Sequence, residues 1–188
     1  MDMTVQASDI LDYWFEHSGP KKWYAKSDAF DADIRAQFED FSISAAAQIK
    51  REGVHQWQDD DATALALIIA LDQFPRNMYR DNKGAFAWDE FALACAQDAI
   101  AKGHDLKAGQ DRRAFFYMPF MHAEDLVMQD ECVRLMDMRI DSDSSLFHAK
   151  AHRKLIADFG RFPHRNEILG RESTKAEREF LAQGGYAP

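Results

Sequence analysis

The chain is poor in the features that mark secreted, membrane-spanning or nucleic-acid-binding proteins. Only two cysteines, Cys95 and Cys132, occur in 188 residues. That is too few for a disulfide framework or a cysteine zinc site, and it suits a reducing cytoplasm. No apolar run reaches the roughly 18 residues needed to span a bilayer, and the nearest approach, Ala62 to Leu71, is too short. Asp2 and Asp9 stand where a signal peptide would carry Lys or Arg, so a cytoplasmic protein is expected. Positive charge is also short: 23 Lys and Arg face 32 Asp and Glu, a net charge of −9. Such a surface releases no counterions from a polyanion, which speaks against nucleic acid and anionic membranes as partners. The sequence contains no Gly-x-Gly-x-x-Gly, P-loop, Gly-x-Ser-x-Gly, His-Glu-x-x-His or Cys-x-x-Cys. Several common nucleotide, hydrolase and zinc-protease solutions are thereby excluded.

What is present is an ordinary globular composition, 46% apolar, 29% charged and 12% aromatic, with helical punctuation throughout. The length predicts a single domain over 1–188, able to bury about 70% of its unfolded surface without metal or disulfide. Ser8 is positioned to cap a first helix carrying Ile10, Leu11, Trp14 and Phe15, stopped at Gly19-Pro20. A stripe of Phe30, Ile34, Phe38, Phe41, Ala45 and Ile49 predicts a helix from Asp28 to Glu52 ending at Gly53. Asp59 to Asp61 open a third helix whose residues Ala64 to Leu71 are apolar all round, so it should lie at the centre; Pro75 should end or kink it. Further helices are expected over Ala85 to Lys102, from Asp111 to about Ile140 with an interruption near Pro119, and from Ser142 to Phe159. Thr174 and Glu177 form a capping box for a short last one. No segment alternates as a strand would. The expected fold is all-α, a stack of antiparallel helical hairpins.

Three groups of residues have the makings of chemistry. His122, Glu124 and Asp125 follow Pro119, where a restarting helix favours carboxylates; a histidine beside two acids suits a general base, while first-turn helix acids are also ordinary structure. His148 and His152, four apart, share a helix face as two metal ligands would, but the same face continues into Leu155 and Phe159 and no third ligand follows at fixed spacing. No metal and no cofactor are therefore expected. The third group is basic: Arg161, His164, Arg165 and Arg171, joined by Arg76 and Arg80. Guanidinium forks suit a carboxylate or phosphate, but the same arginines could pair with Asp72, Glu124, Asp125 or Glu167 and lock helices together.

One internal echo links the groups. Leu71-Asp72-Gln73-Phe74-Pro75-Arg76-Asn77 resembles Gly160-Arg161-Phe162-Pro163-His164-Arg165-Asn166, each at a helix-ending corner. The two Phe-Pro corners should come together beside His122, Glu124 and Asp125, with Arg161 and Arg165 facing a small polar cleft.

These motifs, with Ala85-Phe86-Ala87-Trp88-Asp89, Phe116-Tyr117-Met118-Pro119-Phe120-Met121-His122-Ala123-Glu124-Asp125 and Leu169-Gly170-Arg171, resemble a bacterial domain-of-unknown-function family of the tetratricopeptide-like helical superfamily. The resemblance implies a tetratricopeptide-like helical fold and supplies no reaction. It also leads one to expect Ser between the His and Glu of the third motif, where this chain has Ala123. Two functions follow from the residues. One is a module binding a peptide or small anionic molecule through Arg76, Asn77, His152, Arg161, His164, Arg165 and Asn166. The other is a small enzyme of the hydrolase kind, with His122 as base, Glu124 or Asp125 orienting it, and the arginines holding an anionic substrate.

Overall fold

In the computed structural model, residues 5–23 and 25–187 are described. Every regular element among them is helical, and none is a strand. The first helix, α1 (Ala7–Leu11), starts two residues earlier than a Ser8 cap would place it: Gln6 is its cap, and the Asp9 carboxylate accepts the Gln6 N–H at 2.8 Å. It continues in a wider π-type winding over Asp12–Ser18, which buries Trp14, and stops at Gly19 with φ of 66°. After the short α2 (Pro20–Trp23) comes the long α3 (Asp28–Glu52), capped by Ser27 and ended by left-handed Gly53.

Asp60 caps α4 (Asp61–Ile68), accepting the N–H groups of Ala62 and Thr63. Residues Ala64 to Leu71 are all essentially buried, as the unbroken apolar run requires. Pro75 does not end this helix. The winding widens over Ile69–Gln73 and the chain continues as α5 (Phe74–Met78). A proline ring clashes with the carbonyl four residues back, and a π-type turn relieves that clash without stopping the helix. The next helix starts later than Ala85: a 3₁₀ turn at Lys83–Phe86 precedes α6 (Asp89–Ala101). Then follow α7 (Gln110–Arg113) and α8 (Met118–His122), which holds Pro119 in its first turn where no N–H is missed. The break falls beyond it, at extended Ala123, and the chain restarts as α9 (Leu126–Arg139), capped by Asp125. Ser142 and Gly160 bound α10 (Asp143–Phe159), and the Thr174–Glu177 capping box opens α11 (Lys175–Ala182).

Apolar burial falls into two clusters. The main core gathers α1, α3 to α6, α8 and α9 around Ile68, Leu67, Phe74 and Phe116; a small satellite joins Leu155, Ile156 and Phe162 to Phe159, Phe180 and Tyr186. The helices α9 and α10, joined by residues 140–142, pack closely along each other. A fully buried carboxylate, Asp105, secures the end of α9, accepting Arg139 at 2.6 Å and the Tyr117 hydroxyl at 2.5 Å. Among the described residues no helix is long and apolar enough to cross a membrane. Cys95 and Cys132 are buried and unpaired, and burial pushes both thiols up to about 12, which leaves them unreactive at neutral pH.

Because Leu67 has no exposed surface, Leu67→Ala should cost about 2–5 kcal/mol in urea unfolding through lost burial and a residual cavity. Val127→Ala, at a position 68% exposed, should stay within about 0.5 kcal/mol.

Candidate functional site

The two Phe-Pro corners meet, and the place where they meet is organised by carboxylates. Asp72 lies in the π-wound stretch between α4 and α5, with no exposed surface. A charge there must be matched within the protein. His122, the last residue of α8, supplies one partner: its Nδ1 lies 2.7 Å from Asp72 Oδ1. The Gln73 amide donates at 2.6 Å and Arg76 lies at 3.6 Å. Burial alone would raise the Asp72 carboxyl, but His122, Arg76 and Gln73 together hold it below the ordinary carboxylate value. An ionised Asp72 fixes a neutral His122 as the Nδ1–H tautomer, leaving Nε2 with a free lone pair. Nε2 has no hydrogen-bond partner among the described residues, and the side chain is 17% exposed.

Asp89, the first residue of α6, joins the corners directly. It receives Arg76 from the first at 2.7 Å and Arg165 from the second at 3.4 Å. Burial and the nearby Asp72 charge raise the Asp89 carboxyl, against the pull of Arg76 and Arg165. Phe86 completes the join: the guanidinium carbons of Arg76 and Arg165 lie 4.9 and 4.6 Å from its ring centroid, and Arg165 also lies 4.4 Å from that of Phe162. Arg76 further donates to the Ala85 carbonyl.

Arg165 is poorly matched for a buried cation. Its Nη1 donates to the His122 carbonyl at 3.1 Å, while Nε is buried without a partner. Burial and the charge of Arg76 push its pKa down to about 10. Two further imidazoles stand by: His152, with Nδ1 2.8 Å from the His148 carbonyl and its ring 6.3 Å from that of His122, and His164. Burial first, and neighbouring positive charge next, depress them to about 3 and about 4. Both are neutral at pH 7.

The remaining residues singled out in the sequence are placed elsewhere. Neither corner's Asn joins Arg76 and Arg165: Asn77 binds Asp31 of α3 at 2.8 Å, and Asn166 binds Glu177 of α11 and Ser173 and accepts from Arg171. Arg80 forks onto Asp31. Arg161 does not face the cleft; it forks onto Glu177 at 2.7 and 2.8 Å. Glu124 and Asp125 do not orient His122. Glu124 accepts the Phe162 N–H and an Arg171 fork, and Asp125 caps α9. His148 meets Tyr186, and among the described residues no group of three or more His, Cys, Asp or Glu is placed to hold a metal ion.

The orienting acid is Asp72, and the joining residues are Asp89 and Phe86. Asp72 carries a visible signal: it is the only charge between Asp61 and Arg76, in an otherwise apolar stretch of helix, and such a charge needs a partner. Two cavities, of about 1190 Å³ beside Tyr13, His17 and Phe30 and about 200 Å³ beside Asp31 and Arg80, lie away from the dyad. The larger is lined among others by Val5 and Ala25, each next in sequence to a residue outside the described set.

The model of a family described as a bacterial protein of unknown function, DUF924, matches residues 10–185. A solved structure, of the protein of unknown function ATU0120 from Agrobacterium tumefaciens, is 42% identical and superimposes with a TM-score of 0.86, covering 95% of this chain and 97% of that one. No curated protein matches the chain.

Two predictions separate clamp from site. Arg161→Met strands the buried Glu177 carboxylate, whereas Arg165→Met leaves Asp89 its closer partner Arg76. The first should lower stability more than the second in urea unfolding, with the second within about 2 kcal/mol of the unaltered protein. Stability should also fall on acidification. The unfolded chain takes up protons at His152 and His164 near 6.5 but the folded chain only near 3 and 4, so protons favour unfolding over that window. The melting temperature should drop as pH falls from 6.5 towards 4, and His152→Gln should flatten the slope.

Proposed function

The chain belongs to the bacterial DUF924 family, and from that premise we propose that it is a small cytoplasmic enzyme. His122, oriented by Asp72, would act as general acid–base on a small anionic substrate held by Arg165. The observation that carries this reading is the 2.7 Å contact between the fully buried Asp72 carboxylate and Nδ1 of the partly exposed His122. A buried acid behind one imidazole nitrogen, with the other free, is the arrangement that lets a histidine take a proton and stabilises the imidazolium formed. The under-neutralised Arg165 favours an anionic group beside the dyad, because a ligand carboxylate or phosphate would compensate a charge that Asp89 meets only at 3.4 Å.

A second reading, a non-catalytic module for a peptide or small anion on a single tetratricopeptide-like domain, has one observation in its favour. Arg165, with its buried Nε unpartnered and Asp89 only at 3.4 Å, could hold an anion without any proton transfer. The reading is weakened by Asn77, Arg161 and Asn166, whose side chains are engaged by Asp31 and Glu177.

Turnover of phosphate monoesters, carboxylate esters and N-acyl amino acids tests the proposal. Activity on one class is expected, falling roughly 10²-fold or more in both His122→Asn and Asp72→Asn, with helical circular dichroism retained. Absence of turnover in all three classes, or activity unchanged in His122→Asn, would overturn it. Thermal stabilisation by inorganic phosphate that persists in His122→Asn but not in Arg165→Met would move the assignment to the binding module.

A further inference from the structure

We propose that residues 161–187 form a lid that rocks on its apolar contacts with α10, drawing Arg165 off the Asp72–His122 dyad to admit substrate and carrying it back over the dyad on closing. That the lid serves catalysis rests on the acid–base reading above; that it opens does not.

The site is built across a seam. Asp72, Arg76, Asp89 and His122 belong to the body, while Phe162, His164 and Arg165 come from the last segment. In the closed arrangement Asp72 is fully buried and His122, at the seam, is 17% exposed. A substrate needs the seam to part.

The seam is made to part cheaply. The apolar contacts of the segment run to α10, through Leu155, Ile156 and Phe159 against Phe162, Phe180 and Tyr186, in a cluster separate from the main core. Across the seam the contacts are polar or cation–aromatic. Glu124 accepts the Phe162 N–H at 2.8 Å and Arg171 at 2.6 and 2.9 Å. Arg165 reaches the His122 carbonyl, Asp89 and Phe86. Water can replace such polar contacts on opening, whereas a parted apolar interface would have no substitute. Two buried polar atoms at the closed seam, Arg165 Nε and His164 Nδ1, lack partners, so closure without ligand leaves hydrogen bonds unmade. Within the segment the bonds are dense: Arg161 and Asn166 on Glu177, Arg171 on Asn166 and the Phe162 carbonyl. It can therefore move as a unit. Gly160, left-handed at φ of 71°, caps α10 where the segment begins.

Amide hydrogen exchange of the full chain, followed by NMR without substrate, reads the opening directly. The Phe162 N–H crosses the seam, while the Leu169 and Arg171 amides bond within the segment to the Arg165 and Asn166 carbonyls. Phe162 is expected to exchange at least about tenfold faster than Leu169, Arg171 and the buried amides of α4. Arg171→Met, which removes the Glu124 latch, should speed Phe162 about tenfold further and leave α4 unchanged. Exchange of Phe162 as slow as that of α4 would overturn the lid. So would one common rate across 161–187, which would mean local unfolding in place of a rocking motion. Because no substrate enters the measurement, failure to find turnover would sink the enzyme reading while leaving the lid's own test intact.

Discussion

The structure depends on one costly placement, an ionised carboxylate in the middle of an apolar helix. Asp72 follows eight consecutive buried apolar residues and has no exposed surface of its own. Taking such a charge out of water costs several kcal/mol, and the fold compensates with the Gln73 amide from its own winding, the Arg76 guanidinium from α5 and the His122 imidazole from α8. The wider turn at Ile69–Gln73 keeps that stretch of helix unbroken ahead of Pro75. His122 can reach Asp72 only because α8 ends where it does, at the extended Ala123. The rest of the cluster is drawn in by the same demand: Arg76 serves Asp72 and Asp89, and Asp89 then receives Arg165 from the far corner.

The arginines divide into two kinds by how well they are matched. Arg161, Arg171 and Arg80 each meet a carboxylate in a two-point fork, the geometry that gains most from a planar guanidinium. They fasten helices and corners. Arg165 has no fork; it lies between two phenyl rings with one carbonyl, one long carboxylate contact and an idle Nε. A buried cation left short of partners is poor glue, and its position beside His122 is what connects the electrostatics to a function.

Much of the helical framework was legible because its signals are local. Asp60, Ser142, Thr174, Gly53 and Gly160 act where capping chemistry puts them. The elements set by packing are less legible: the expected end or kink at Pro75 is a π winding over Ile69–Gln73, the expected interruption near Pro119 is a 3₁₀ turn at Ala114–Phe116 followed by a second break at Ala123, and nothing local signals the 3₁₀ turn that delays α6 to Asp89. The meeting of the two corners followed from their shared pattern, yet the pattern misled about their asparagines, which reach out to Asp31 and Glu177. Glu124 and Asp125 show the limit most plainly. They are adjacent in sequence and chemically alike, but the extended residue before them sends one to Phe162 and Arg171 and the other to cap α9. Which carboxylate orients a histidine is decided by three-dimensional placement, and here it is one 50 residues away.

The central claim is that Asp72 fixes His122 in one tautomer with Nε2 free to exchange a proton. Long-range ¹H–¹⁵N correlation spectra of the His122 ring test it most directly at a pH where the imidazole is neutral. A protonated Nδ1 and an unprotonated Nε2 are expected, with Asp72→Asn disturbing that pattern. A ring protonated at Nε2, or one averaging between tautomers in the unaltered protein, would contradict it.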